Sequence, residues 1–229
     1  LQGTLDVGVV SWRGNAIDGL AALLERSPAP LLATELQRLQ ANLQPPREWE
    51  YLLETGISDV FRPCGVPHHK RICLDAVDDQ GIIRKPVRIP LTPSTEISWR
   101  WRLLEHPSRV AEDSPHSHDY ISVACEFDNG RDLTWIWSCE LAAETWFDCP
   151  IKAWQQRETQ FVVRSGLQQG ADWHQERRLI YDDVARAMGA PAQHIVAVWL
   201  IVVATFRHGR ARAEFEAIEL HDNNTTIRV

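Results

Sequence analysis

The sequence lacks any apolar run long enough to cross a lipid bilayer, which takes roughly 20 residues. Its most apolar stretch, "HIVAVWLIVVA" at residues 194–204, falls far short of that length. We therefore predict a buried strand at this position and no contact of the chain with a membrane.

Basic residues are in the minority, with 24 Lys and Arg against 31 Asp and Glu and a net charge of -7. Nucleic-acid affinity rests mainly on clustered Lys and Arg, so we exclude nucleic acid as a partner. One local basic group, residues 207–212, is followed at once by Glu214, Glu216 and Glu219. That pattern is typical of a solvated hairpin.

Cysteine is sparse, and no CxxC motif is present. The five cysteines are Cys64, Cys73, Cys125, Cys139 and Cys149. An odd number without that motif argues against both a full disulfide framework and a zinc ribbon. We expect reduced thiols and, from them, a cytoplasmic location.

Several catalytic motifs are also missing: GxSxG, GxGxxG, GKT and HExxH. Their absence argues against the common serine hydrolases, nucleotide-dependent enzymes and zinc proteases of the HExxH type. We predict that the protein uses no cofactor.

Leucines recur at three- and four-residue steps between residues 16 and 43, which is a helical spacing. The segment "SPAP" at residues 27–30 predicts a break between two helices. We predict an N-terminal helical segment over residues 1–50 and a β domain over residues 51–229. An exposed apolar stripe on the second helix would give a homodimer contact, and its members are Leu32, Leu36, Leu39 and Leu43.

Beyond residue 60 the chain consists of short segments rich in Val, Ile, Trp, Thr and Phe, separated by turn residues. We predict strands near residues 70–76, 87–89, 96–104, 120–127, 133–138, 158–163, 195–205 and 211–220. The segment "RRLIYDDVARAMG" predicts a short inserted helix that ends at Gly189. The predicted fold is mainly β, a jelly-roll β-sandwich of the galactose-binding or lectin-like type.

The stretch "SPHSHDYISVACEF", residues 114–127, carries two histidines before an alternating strand. If extended, it places His116, His118 and Tyr120 on one face. The next carboxylate on that face, Glu126, lies roughly 26 Å beyond His118 and cannot reach the same ion. A third ligand would have to come from another strand, where the candidates are His68, His69, His174 and His208. We predict no intrinsic metal.

The segment "ISWRWR" places Trp99 and Trp101 on one face of a strand, with Arg100 and Arg102 on the other. Two arginines side by side can bind a carboxylate or sulfate, and exposed tryptophans can stack on a flat ligand. The alternative is that the tryptophans are core and the arginines pair with acidic residues across the sheet. The ligand-binding candidates are Arg100, Arg102, Trp137 and Trp173.

Titratable side chains also gather at two strand entrances. A histidine beside a carboxylate can act as a general base, while local charge pairing before a helix explains the second group equally well. The candidates for acid/base catalysis are His118, Asp119, Tyr120, His174 and Glu176.

The order of these segments resembles a bacterial family, the domain of unknown function 3047, over about residues 96–220. The matching pieces are Ser98 to Arg102, Asp119-Tyr120 to Phe127, Trp135-Ile136-Trp137, Arg164-Ser165-Gly166, Trp173 with Glu176-Arg177, Tyr181 to Met188, and Ile195 to Leu220. The resemblance implies a jelly-roll sandwich and no particular activity. His116 and His118 lie before the matching strand entrance, so the resemblance assigns them no role.

Two functions follow as hypotheses. In the first, a concave sheet face lined by Arg100, Arg102, Tyr120 and Trp137 binds a small organic molecule or a saccharide. In the second, the protein is a cofactor-independent acid/base enzyme, such as a lyase, isomerase, cyclase or hydrolase, working in the same cleft.

Overall fold

A computed structural model describes residues 16–26, 29–52, 56–65, 71–167, 172–189, 191–222 and 225–229. The chain divides into two compact units, one up to Gln44 and one from Pro45 onward. No helix of the described residues is long and apolar enough to cross a membrane.

The first unit contains two helices, α1 (Ala16–Arg26) and α2 (Pro30–Gln40). Pro30 occupies the first turn of α2, where its missing N–H leaves no helical bond unmade. The predicted interaction stripe is not fully exposed, since Leu32, Leu36, Leu39 and Leu43 are all partly covered. The homodimer contact stays a prediction.

In the second unit, the described residues form thirteen strands and one helix. The strands are β1 (Glu50–Tyr51), β2 (Phe61–Cys64), β3 (Arg71–Val77), β4 (Gln80–Pro90), β5 (Glu96–Glu105), β6 (Tyr120–Phe127), β7 (Asp132–Ser138), β8 (Trp146–Asp148), β9 (Glu158–Ser165), β10 (His174–Leu179), β11 (His194–Val203), β12 (Arg210–Asp222) and β13 (Thr225–Arg228). The helix is α3 (Ile180–Ala187), between β10 and β11.

The strands form two sheets. A seven-stranded sheet has the order β1-β4-β11-β6-β7-β9-β8, and a six-stranded sheet has the order β10-β5-β12-β3-β2 with β13 beside β12. All described strand pairs are antiparallel except β7 with β9. The prediction of a mainly β sandwich with few helices is therefore confirmed.

Tryptophans fill the space between the sheets. Trp99 and Trp101 from β5 lie 5.6 Å apart by ring centroid, and each contacts a tryptophan of β7, Trp135 at 5.7 Å and Trp137 at 5.4 Å. Carboxylates accept the buried indole N–H of Trp101 and Trp135, which removes the cost of burying those donors. The prediction that Trp99 and Trp101 face the core is confirmed.

The seven-stranded sheet is buried on both faces. One face packs on the tryptophan core, and the other carries a second apolar cluster that includes Ala124, Ile136 and Trp199. Leu141 and Phe147, which follow β7 in the chain, pack over this second face. Residues of both faces of β6 and β7 are therefore buried, as their patterns of exposure show.

Candidate functional site

The four ligand-binding candidates lie on two different surfaces. Arg100 and Arg102 point away from the core on the outer face of the six-stranded sheet, and Trp173 lies against them. Trp137 is in the core between the sheets, where its indole N–H donates to the Gly166 carbonyl. The structure thus brings together three of the four candidates and separates Trp137 from them.

Carboxylates of β12 hold the two arginines. Arg100 donates to Glu216 at 2.6 Å, and Arg102 donates to Glu214 at 2.6 Å. Each pair consists of directly opposite residues on the antiparallel strands β5 and β12, the arrangement in which opposite charges stabilise a sheet. Arg71 of β3 completes the group, because its Nε donates to the second oxygen of Glu216 at 2.7 Å.

Trp173 supports this charged group. The guanidinium carbons of Arg71, Arg100 and Arg102 lie 5.0, 5.3 and 5.1 Å from the centroid of its ring. These distances are within the range of cation–π attraction. Arg100 and Arg102 therefore pair with acidic residues across the sheet, which is the alternative that the sequence left open. A guanidinium has five N–H donors, however, so pairing with one carboxylate leaves others for a ligand.

A cleft opens in the six-stranded sheet beside Arg71 and Arg100. Strand β12 pairs with β3 as far as Glu216 and with β13 only from Glu219 onward. Between these two partners the strand bulges at Ala217, which has a φ of 50°. The bulge leaves an opening toward the core, and a cavity of about 860 Å³ occupies it.

The lining of the cleft combines charged and apolar side chains. The basic members are Arg47, Arg71, Lys85, Arg100 and Arg228; the acidic members are Glu48, Glu216 and Glu219; the larger apolar members are Trp49, Ile72, Phe215, Ile218 and Val229. Basic side chains outnumber acidic ones here, although the chain as a whole has a net charge of -7. The cleft is therefore a locally positive site on an acidic protein.

A disulfide forms part of the cleft wall. Cys64 at the end of β2 lines the cavity and is bonded to Cys73 in β3. The expectation of reduced thiols throughout is wrong for this pair, because the hairpin of β2 and β3 brings the two sulfurs together. Disulfides persist in oxidising compartments, so the inference of a cytoplasmic location from reduced thiols no longer stands.

The outer face of the seven-stranded sheet is strongly concave. Glu126 pairs with Asp132, and Asp132 with Glu158, in one row across β6, β7 and β9. Tyr120 lies six residues along β6 from this row, about 20 Å on a flat strand. Its hydroxyl nevertheless donates to Glu158 at 2.8 Å. The two side chains can meet only because the sheet curls around them.

This concave face is filled by the protein's own side chains. Trp154 packs over it, and Tyr120, Gln160 and Glu158 are all buried beneath. The sequence-based expectation of an open concave face lined by Arg100, Arg102, Tyr120 and Trp137 is therefore wrong. Of those four, Tyr120 is on the concave face, Trp137 is in the core, and both arginines are on the opposite sheet.

Buried carboxylates are the unusual feature of the concave face. Asp132 is fully buried, and burial, followed by the repulsion of Glu158, raises its pKa well above the usual range. Thr134 donates to Asp132 at 2.8 Å. Burial and the same Glu158 carboxylate also raise the pKa of Tyr120. Burial therefore favours the protonated, neutral forms of Asp132 and Tyr120.

The two histidines before β6 diverge. His116 is exposed, whereas His118 is buried and its Nδ1 lies 2.7 Å from the Glu112 carbonyl oxygen. The extended strand begins only at Tyr120, and a turn precedes it, so the period of two does not extend back to the histidines. Of the other histidines considered as ligands, His68 and His69 lie outside the described residues, and His208 is exposed on the loop between β11 and β12.

The five catalytic candidates are not in one pocket. Asp119 is buried and accepts the backbone N–H groups of Phe206 and Arg207, at 2.9 and 2.7 Å, which anchors the loop between β11 and β12. His118 and Tyr120 lie on the concave face.

His174 and Glu176 lie in β10 of the other sheet and face the tryptophan core. Glu176 accepts from Trp101 at 3.0 Å and from Arg164 at 2.8 Å, which are structural roles. His174 packs edge-on against the ring of Trp137. Because β6 and β10 belong to different sheets, the condition under which the five would converge is not met.

Sequence reasoning missed the carboxylates that hold the two arginines and the residues that lie beside His118. Glu214 and Glu216 alternate with core residues in "ARAEFEAIEL", and that alternation, set beside Arg100 and Arg102, was the available signal. Cys149 and Glu158 carry no comparable signal. They lie beside His118 only in the folded chain, where the Cys149 sulfur is 3.3 Å from His118 Nε2.

A known protein family matches most of this chain. Residues 57–219 match the family described as "Protein of unknown function (DUF3047)". The chain belongs to the DUF3047 family. The match confirms the resemblance inferred over residues 96–220 and extends it to the start of the β-sandwich. No curated protein matches this DUF3047 chain.

Solved structures similar to this DUF3047 protein include three carbohydrate-active proteins. One is the xyloglucanase domain of NopAA, a type three effector from Sinorhizobium fredii in complex with cellobiose, at 8% identity, a TM-score of 0.43, and coverage of 76% of this chain and 93% of that chain.

The second is the catalytic domain of Humicola grisea Cel12A in complex with a soaked thio cellotetraose, at 10% identity, a TM-score of 0.41, and coverage of 76% and 93%. The third is the family 11 xylanase from Neocallimastix patriciarum, at 9% identity, a TM-score of 0.33, and coverage of 76% and 95%. At these scores the likenesses carry no argument about what this DUF3047 protein binds.

Proposed function

We propose that this jelly-roll sandwich binds a saccharide in the cleft of its six-stranded sheet. The observation that carries the proposal is the cavity of about 860 Å³ beside the bulge of β12, where guanidinium, carboxylate and apolar groups meet. Small-molecule sites typically enclose about 300–1,000 Å³ and combine apolar walls with a few fixed polar groups.

The polar groups of the cleft suit a ligand with many hydroxyls. Glu216 accepts from both Arg71 and Arg100, so its carboxylate and the two guanidiniums are held in fixed positions before a ligand arrives. Guanidinium N–H groups donate to hydroxyl oxygens, while carboxylate oxygens accept from hydroxyl groups. Trp49, a largely buried member of the core, also lines the cavity and can offer apolar surface to a sugar ring.

The charge of the cleft favours an acidic saccharide over a neutral one. Its basic side chains outnumber its acidic ones, and Arg100 is 41% exposed in its side chain and so accessible to a ligand. A carboxylate on the sugar can bind a guanidinium by two parallel hydrogen bonds. Binding of such a ligand weakens as salt is added, because the charges are near the surface.

Calorimetric titration with neutral and uronic-acid oligosaccharides tests the proposal. We expect a uronic acid to bind and to bind more weakly at high salt. The variant Arg100→Gln weakens binding by about tenfold, the value of one charged hydrogen bond. Arg177→Gln is the matched control, since Arg177 also pairs with a glutamate of its sheet but does not line the cleft. Equal effects of the two substitutions, or no binding by any saccharide, would contradict the proposal.

A further inference from the structure

Three groups of His, Cys and acidic side chains among the described residues bring potential metal ligands within 4.8 Å of one another. The first contains Cys64 and Cys73, which are bonded to each other and therefore offer no thiolate. The other two groups each contain one histidine, and they differ in whether a ring nitrogen of that histidine has a lone pair available for a metal.

The group of His106, Glu112 and Cys139 is already saturated. His106 Nδ1 lies 2.8 Å from the Ser108 carbonyl oxygen and Nε2 lies 3.0 Å from the Trp137 carbonyl oxygen, so both ring nitrogens face hydrogen-bond acceptors and neither presents a lone pair to a metal. Glu112 accepts from the Ser138 hydroxyl with one oxygen and from the Cys139 backbone N–H with the other. Its role is to hold the chain that leaves β7.

The group of His118, Cys149 and Glu158 has the opposite property. His118 Nδ1 lies 2.7 Å from the Glu112 carbonyl oxygen, which is only an acceptor, so Nδ1 carries the proton. Nε2 then carries a lone pair, which faces the Cys149 sulfur at 3.3 Å and the Gln160 amide nitrogen at 3.5 Å. Metal-binding histidines are commonly fixed in this way, with the far nitrogen donating to a backbone carbonyl.

The side chains around the group are buried and one is unsatisfied. His118, Cys149 and Glu158 are 2%, 1% and 5% exposed. The amide nitrogen of Gln160 donates to Glu158 at 2.9 Å, but the amide oxygen is buried with no hydrogen-bond partner. A buried acceptor without a donor costs about 1–3 kcal/mol. A zinc ion with three protein ligands keeps its fourth position for water, and such a water could supply the donor that the Gln160 amide oxygen lacks.

We propose that His118 Nε2, Cys149 Sγ and a carboxylate oxygen of Glu158 bind one zinc ion. Nitrogen, sulfur and carboxylate oxygen are the ligands that zinc takes in proteins, whereas magnesium and calcium favour oxygen alone. As the sulfur–zinc bond forms, the Cys149 thiol releases its proton to solvent. The thiolate and carboxylate then balance the two charges of the ion, so the buried site is neutral as a whole.

This site is independent of the saccharide cleft, which lies in the other sheet. It also replaces the expectation of no metal. That expectation rested on the search for a third ligand along the strand and among histidines of other strands, and it considered neither Cys149 nor Glu158.

Metal analysis of the full chain, produced without a histidine tag and refolded with zinc, tests the proposal. After dialysis we expect about one equivalent of zinc per chain, as for a buried site with three protein ligands. Cys149→Ser and His118→Gln lose most of it. Cys125→Ala keeps it, since Cys125 is a buried free cysteine of the core outside the group. With cobalt in place of zinc, the wild type and Cys125→Ala show a sulfur-to-cobalt charge-transfer absorption that Cys149→Ser lacks.

A folded wild-type protein with no bound zinc would overturn the proposal, as would an unchanged cobalt spectrum in Cys149→Ser. If the variants fail to fold, alkylation of the wild type decides the matter. Zinc should then protect Cys149 from a thiol reagent after partial unfolding, while protection of Cys125 and Cys139 stays unchanged. Equal alkylation of Cys149 with and without zinc would refute the site.

Discussion

The guanidinium of Arg100 donates to Glu216 at 2.6 Å across the β5–β12 pair, and Glu216 is only 10% exposed in its side chain. Arg71 donates to the second oxygen of the same carboxylate. One carboxylate thus fixes two guanidiniums on the rim of the cleft.

Glu216→Gln should lower the free energy of unfolding by about 1–3 kcal/mol, because it removes a charge that two half-buried guanidiniums share. Urea denaturation at neutral pH measures the change. Glu219→Gln is the control on the same strand, since Glu219 pairs with Arg228, which is 87% exposed, and a surface pair contributes about 1 kcal/mol or less. An equal loss in both variants would contradict the structural role of Glu216.

The Cys64–Cys73 disulfide closes the hairpin of β2 and β3. The double substitution Cys64→Ser with Cys73→Ser should lower the free energy of unfolding by about 2–3 kcal/mol, the loop-entropy value for a short loop. A thiol count in denaturant provides an independent check. We expect free thiols from Cys125, Cys139 and Cys149 alone; a count that includes all five cysteines of the chain would show that the bond does not form.

Gly209, in the loop between β11 and β12, has no room for a side chain. A Cβ there would lie 1.9 Å from the carbonyl oxygen of Pro107, a backbone atom that cannot rotate away. Gly209→Ala should therefore destabilise the protein by roughly 3 kcal/mol. At Gly130, with a φ of +77°, nothing lies within 4 Å, so Gly130→Ala carries only backbone strain of about 1 kcal/mol. Thermal unfolding should show a larger loss of stability for Gly209→Ala than for Gly130→Ala, and the reverse order would contradict the close contact of Gly209 with Pro107.

His174 should stay neutral at physiological pH. Burial lowers its pKa below 6.5, and the positive charge of Arg164 lowers it further. A histidine with a lowered folded pKa binds fewer protons than the unfolded chain, so stability falls as the pH drops below about 6.5. An NMR titration measures the midpoint directly. Arg164→Gln should raise it by removing the nearby cation, and a midpoint above 6.5 in the wild type would count against this environment.

Local patterns predicted much of the fold. The alternation in "ISWRWR" placed Trp99 and Arg100 on opposite faces, and the segment after residue 179 gave helix α3, observed over Ile180–Ala187. Strands without a clear alternation were missed. Among them is β8, whose three residues pair with β9 at the sheet edge, and most of β4, of which only residues 87–89 were predicted.

The sites depended on longer-range geometry. The pairing of Arg100 with Glu216 joins residues 116 positions apart, and the contact of Tyr120 with Glu158 exists only because the sheet curls. Pairing register and curvature arise from the whole sheet, and a single segment does not specify them. The sequence shows the residue types of the sites, but it does not show which residues become neighbours in the fold.

The most direct test of saccharide binding in the cleft is an NMR titration of the tryptophan indole N–H signals with a uronic-acid oligosaccharide. Trp49 lines the cleft, while Trp154 and Trp199 belong to the concave face of the other sheet. We predict that the Trp49 signal moves on addition of the ligand and that the Trp154 and Trp199 signals do not. Movement of Trp154 and Trp199 with an unchanged Trp49 would place the ligand on the concave face and contradict the proposed site.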